Sequence, residues 1–267
     1  RRKWIVLVVT IIAYRVYAAV HFHAGRTARI LGGSDAAPGE LKYQVALIKD
    51  SYPICGGALI SERHVLTAAH CFRYWNGASY TKGLVIRTGT TKLLTGGESH
   101  YAEYVRIHPD YVSGNIVNKW RYDIAVVTVS SSFITIIIAH RNSNITASVV
   151  GVVSGWGKMD RGWPGEYPND LKKRSVTILT LEDCMSRNAI LDTQICGFDG
   201  DDTGFCQVSK YEQLRPITDS QNGGPLVYDN QVVGIVSYAV SCGMGYPDVY
   251  TRVFAYKNFI AEAMQRL

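Results

Sequence analysis

The segment CGGALISERHVLTAAHC, from Cys55 to Cys71, constrains the fold of this chain more tightly than any other stretch. Two cysteines bracket a Gly-Gly pair, a short apolar run at 64–68, and His70, placed directly before the second cysteine. A lone histidine is most often structural. In this setting it reads as a general base, because proton abstraction needs sub-ångström placement and a covalently anchored neighbour supplies it. Such an anchor requires an oxidising compartment.

The N-terminal stretch predicts that compartment. Arg1, Arg2 and Lys3 precede an apolar run at 4–14, and Val16 and Ala18 satisfy the small-residue rule for cleavage after Ala18. We expect 1–18 to be a signal peptide, 19–29 a propeptide-like segment and 30–267 the folded part. The apolar run is too short to span a bilayer, so the expectation is a secreted, extracellular protein with no membrane attachment after signal removal. The net charge of +6 arises from 28 basic and 22 acidic residues. Arg1, Arg2, Lys3, Arg15, Arg26 and Arg29 all precede Ile30, and no acidic residue does. The remainder is neutral, which argues against a nucleic-acid partner.

From residue 30 onward, β-rich runs alternate with Gly, Pro, Asn and Asp breaks. Runs at 43–49, 64–68, 84–88, 123–129, 149–153, 174–179, 225–227 and 231–238 predict an all-β sandwich or barrel. Helical periodicity appears at 254–267, where Phe254, Phe259, Ile260, Ala263 and Met264 share a face. A joint between two halves is expected at 133–144, with the apolar run 133–138 entering the second core.

Two further pieces carry chemistry. In YDIAVV, Asp123 stands just ahead of an apolar strand, where a carboxylate orients an imidazole and stabilises its charged form. SGWG, at 154–157, is a tight strand end. With ILGG at 30–33, TAAHC at 67–71 and PDVYTRV at 247–253, these stretches resemble the chymotrypsin/trypsin-type serine proteases over nearly the whole of 30–267. The resemblance implies two six-stranded antiparallel β-barrels, a C-terminal helix and a cleft between the barrels. It implies His70 as base, Asp123 as orienting acid, and the pairings Cys55–Cys71, Cys184–Cys196 and Cys206–Cys242. It also implies activation by cleavage between Arg29 and Ile30. The opening ILGGSDAAPGELKYQVAL and the three-bridge set look like the trypsin-like group 3 allergens of mites and their inactivated, scabies-mite-type paralogues.

The chain departs from the family at DSQNGGP, 219–225. Residues 207–222 stand between Cys206 and Gly223, where the family has four residues before Gly-Gly-Pro. Counting back from Gly223 puts Asn222 at the nucleophile position, and an amide cannot form the acyl-enzyme. Keeping Asp-Ser together makes Ser220 the nucleophile, two residues out of place on a tight turn, where a shift of about an ångström costs about a hundredfold. Both alignments stand at this stage.

The pocket positions implied by the resemblance are Gly204, Phe205, Ser237, Ala239 and Asp248. Gly204 stands where trypsins carry an aspartate, and Asp248 brings an acid to the same pocket from another strand. The aromatic loops 72–80 and 161–168 are either a binding surface or packing for their own turns. Asn144 opens an Asn-Ile-Thr glycosylation sequon. The histidines show no metal-ligand spacing, and no phosphate loop is present, so neither metal nor cofactor is expected. The resemblance implies a secreted pseudoprotease acting by binding a protein partner, with host defence or complement proteins as the candidates. The alternative is an active endopeptidase using His70, Asp123 and Ser220.

Overall fold

The computed structural model describes residues 33–112, 120–133, 139–141, 143–157, 169–188, 190–200, 204, 222–239 and 245–265. The leader, the Arg29–Ile30 bond, Phe205, Cys206, Ser220 and Cys242 lie outside the described residues. Fourteen strands dominate among the described residues. The first barrel closes in the order β2 (Gln44–Lys49), β3 (Tyr52–Ser61), β4 (His64–Thr67), β7 (Ala125–Val129), β6 (Glu98–Ile107) and β5 (Leu84–Thr88), with β5 returning to β2. The second runs β10 (Lys172–Ile178), β11 (Gln194–Gly197), β14 (Asp248–Arg252), β13 (Gln231–Ala239), β12 (Pro225–Tyr228) and β9 (Val149–Gly155), and the β9–β10 pairing closes it. Two marginal strands, β1 (Ser34–Asp35) and β8 (Ala139–His140), attach to β10 and β13. Every pairing within the barrels is antiparallel, so the expected pair of six-stranded barrels is the fold.

Period-two patterning explains the strands that the sequence signals well. Along β10, Lys172, Arg174, Val176 and Ile178 turn inward while Ser175 faces out. The first core gathers Val45, Leu47, Leu59, Leu66, Ile86 and Val127; the second gathers Val153, Val176, Ile178, Leu226, Val233, Val236 and Tyr250. β3 and β4 approach so closely that a Cβ on Gly57 would lie 2.7 Å from Val65 Cγ1. That explains the second glycine of the Gly-Gly pair.

Three strands gave weak sequence signals. β3 carries Pro53 and two glycines, which read as breakers, and β6 exposes half of its side chains. β11 is only four residues long. A short helix, α1 (Leu181–Arg187), is also too brief to show periodicity; Thr180 caps it by accepting from Asp183 N at 3.1 Å. The C-terminal helix, α2 (Lys257–Gln265), is shorter than the predicted span because a 3₁₀ turn, Val253–Tyr256, precedes it. Its Phe259, Ile260 and Ala263 pack into the first barrel's cluster, and Arg106 of β6 ion-pairs with Glu262 at 3.0 Å. The last helix therefore straps one half of the chain to the other.

One expectation is corrected here. Phe133 does not enter the second core; it lies in the first barrel's cluster, 4.6 Å from the ring of His100. Its amide bonds Glu62 O at 2.7 Å, which keeps it on the first barrel, while β8 begins the second. Residues 134–138 lie outside the described residues.

Cys55 and Cys71 are bridged, joining β3 to the turn that holds His70, and Cys184 and Cys196 join α1 to β11. Replacing Cys55 and Cys71 together by Ser opens a loop of 16 residues' separation. We expect a loss of about 3 kcal/mol in unfolding free energy. Urea unfolding of the double variant measures it; an unchanged midpoint would show that packing alone holds the segment.

Candidate functional site

The site lies where the barrels meet, and its centre is a buried carboxylate. His70 sits in a 3₁₀ turn, Ala69–Phe72, directly after β4, and Asp123 stands two residues before β7. Asp123 is fully buried. Its Oδ1 accepts from His70 N at 2.8 Å, and its Oδ2 lies 2.8 Å from His70 Nδ1. Ser237 Oγ donates to the same Oδ2 at 2.5 Å, and Thr251 Oγ1 donates to Asp123 O at 2.8 Å. An ionised carboxylate only accepts, so Nδ1 is the protonated nitrogen of the neutral ring and Nε2 keeps its lone pair. This is the tautomer that a general base requires.

The base is shut in. His70 is only 1% exposed, and Nε2 has no hydrogen-bond partner among the described residues. The ring of Trp120 stands edge-on to it at 5.7 Å and stacks on Tyr238 at 6.5 Å. Trp120 has φ of 53°, a left-handed conformation that a bulky residue adopts only under surrounding constraint. Burial pushes the Tyr238 phenol up to about 12.

Ser237 was expected on the pocket wall. Its hydroxyl donates to Asp123, at the point where the β13–β14 register shifts between Val236 and Tyr238. Thr251 was missed altogether. Nothing in the local sequence marks either residue, since a serine or threonine in a strand is ordinary.

Asn222 directly precedes the Gly-Gly-Pro turn and is 6% exposed. Its carbonyl accepts from Gly56 N at 2.8 Å, and Gly223 N donates to Val236 O at 3.0 Å. Gly223 has φ of 74°, and a Cβ there would meet Thr67 Oγ1, Gly56 O at 2.9 Å and Cys71 Sγ at 3.0 Å. The peptide at 222–223 is thus pressed against the bridge that carries His70. Ser220 lies outside the described residues.

Among the pocket positions, Gly204 and Asp248 are adjacent. A Cβ on Gly204, whose φ is 139°, would lie 3.0 Å from Asp248 Oδ1. Asp248 is 3% exposed and opposes Ala239 in the β13–β14 register. Its Oδ2 accepts from Arg174 Nη2 at 3.1 Å. Asp248 is therefore an acid with a buried counter-ion, and not only an acid facing a pocket. Neighbouring Tyr250 is held well above the ordinary phenol range, first by burial and then by the Asp248 charge.

The remaining sequence features are quieter. Phe72 is buried with Tyr80 edge-on at 6.0 Å, and Trp75 packs on the first core under Lys49, so most of the first aromatic loop faces inward. Tyr74 is 42% exposed, and the loop 161–168 lies outside the described residues. Asn144 is exposed, and its Oδ1 accepts from Arg252 Nη1 at 3.1 Å. Cys55, His70 and Cys71 bring three donor atoms within 4.8 Å, but the sulfurs are bonded to each other and offer no thiolate for a metal.

Comparison with known proteins matches the same frame. A family model described as Trypsin matches residues 30–260. The serine protease SP24D of Anopheles gambiae is 33% identical over 247 residues, covering 90% of this chain and 82% of the relative. Trypsin Blo t 3 of Blomia tropicalis is 31% identical, covering 86% of this chain and 84% of the relative. Among solved structures, mouse neuropsin, a serine protease expressed in the limbic system of the brain, superposes with a TM-score of 0.73 at 25% identity, over 87% of this chain and 99% of its own.

The close packing of the turn generates a prediction. Gly223→Ala combines a left-handed backbone with a clash against the Cys71 bridge. We expect a loss of at least about 2 kcal/mol in stability. Urea denaturation checks it, and a variant as stable as the parent would mean that the turn does not sit against the bridge.

Proposed function

The chain belongs to the trypsin family, and on that premise we propose that it is a secreted member that binds a protein partner instead of cutting one. The observation that carries this reading is the peptide at 222–223, with Asn222 O bonded to Gly56 N and Gly223 against Cys71. Asn222 is then the residue beside the base. Its amide offers no oxygen that His70 can convert into an attacking alkoxide. The enclosure of His70 beneath Trp120 supports the same reading. A substrate carbonyl has to reach Nε2's neighbourhood, and a base only 1% exposed leaves it little room.

The pairing of a buried base with an intact acid is what a fold retains when its network also holds the barrels together. Loss of the nucleophile alone lowers kcat by roughly 10⁶, so no selection on the surface of such a protein acts through turnover. Binding is the function left. The likeness to inactivated mite paralogues makes a host-defence protein, complement components among them, the partner we propose. The disulfides Cys55–Cys71 and Cys184–Cys196 support an extracellular site of action.

One observation favours the second reading, an active endopeptidase. The His70–Asp123–Ser237 network is complete, which is the orienting half of a working triad. Labelling with a fluorophosphonate probe separates the two. We expect no covalent labelling of purified protein beginning at Ile30. Labelling that vanishes in Ser220→Ala would establish Ser220 as the nucleophile and overturn the binding-only reading. Complement-mediated lysis in the presence of the protein tests the partner: we expect inhibition, and unchanged lysis at micromolar protein removes complement from the proposal.

A further inference from the structure

A second buried charge network lies inside the second barrel, away from His70. Arg174 projects inward from β10 with its side chain 5% exposed. Its Nη2 donates to Asp248 Oδ2 at 3.1 Å, and its Nη1 lies 3.7 Å from Asp199 Oδ2. Asp199 is itself held by Thr177 N, which donates to its Oδ1 at 2.8 Å. Asp248 borders Gly204, so the guanidinium reaches, within the barrel, the acid that the resemblance assigns to the specificity pocket.

We propose that Arg174 is a specificity-determining residue, a built-in counter-ion that neutralises Asp248 and makes the pocket refuse Lys and Arg side chains in favour of uncharged ones. The argument is one of competition. A buried carboxylate attracts a cation strongly only when its charge is uncompensated. Here an arginine already holds it at hydrogen-bond distance. An incoming ammonium or amidinium has to displace that arginine, which strands a buried guanidinium, or sit beside it, which places two cations against one carboxylate. Neither arrangement gains net attraction. Gly204 adds no charge from the opposite wall. Arginine suits this task better than lysine, because it stays charged in the barrel and its planar fork reaches Asp199 and Asp248 at once.

This inference concerns the cleft as a ligand site and so rests on the binding reading above, but not on the loss of the nucleophile. The test therefore uses a ligand that is never cut. Fluorescence titration with p-aminobenzamidine is performed on the full chain, on Arg174→Met and on Arg174→Met/Asp248→Asn. We expect no saturable binding to the parent at millimolar probe. Arg174→Met should bind at least tenfold tighter, and the double variant should lose the gain. Binding by the parent that disappears in Asp248→Asn, or a folded Arg174→Met no tighter than the parent, overturns the proposal. Removing one partner of a buried pair is strongly destabilising, so Arg174→Met has a second readout. Asp248→Asn alone should lower Tm, and adding Arg174→Met should restore several degrees. Strictly additive losses would show that the two residues are not partners, and would overturn it equally. Because fluorophosphonate labelling reports only the nucleophile, failure of this proposal and failure of the binding reading are distinguishable.

Discussion

The carboxylate of Asp123 is the point at which the two barrels are chemically joined. Its own strand and the His70 turn belong to the first barrel, while Ser237 and Thr251 come from β13 and β14 of the second. A fully buried charge is tolerable only when its acceptors are filled, and here donors from both halves fill them. The loop before it is fixed as well. Tyr122 N donates to Tyr256 Oη at 3.2 Å, and His108 stacks on Tyr122 while touching Tyr256 and Phe259. The C-terminal helix thereby sets the approach of the acid. Separating the barrels would strip the Ser237 donor from the carboxylate and the Thr251 donor from the Asp123 carbonyl, so the network ties the barrels together whether or not a reaction runs through it.

That double role gives the catalytic geometry a structural reason to persist. The orienting hydrogen bonds to His70 are structural contacts, and their loss would weaken the interface. The space beyond Nε2 carries no such obligation, and Trp120 and Tyr238 occupy its margin. The same logic runs through the second barrel. Asp248 brings a negative charge into the barrel, and Arg174 answers it from β10, two strands away in the sheet. Among the described residues, Asp123 and Asp248 are thus both held by donors from within the chain.

Much of the architecture was legible because barrel strands carry one face inward. Leu84–Thr88 alternates strictly, and its predicted bounds are those of β5. Strands buried on both faces were still found where their apolar run was unbroken, as in β2 and β7, and missed where the run was interrupted or mixed. β3 is buried almost throughout and broken by Pro53, Gly56 and Gly57; β6 mixes buried His100 and Val105 with exposed Tyr101 and Tyr104. The misplacement of Phe133 has the same origin. An apolar run announces that it is buried but not in which of two cores, since both are built of the same residue types.

At the site, the chain alone determined the chemistry on offer: a histidine beside a bridged cysteine, an acid ahead of a strand, and Asn222 before a Gly-Gly-Pro turn. These are covalent and local facts. It also left two alignments of the turn open, which differ in where they put Ser220, a residue outside the described ones. Only the tertiary structure decided that Gly223 lies against the Cys71 bridge, that Ser237 belongs to Asp123, that Trp120 stands edge-on to His70, and that Arg174 reaches Asp248. Each joins residues distant in sequence, such as 74 positions for Arg174 and Asp248 and 114 for Ser237 and Asp123. No local pattern encodes such a pair, because its energy comes from burial that exists only after both barrels have closed.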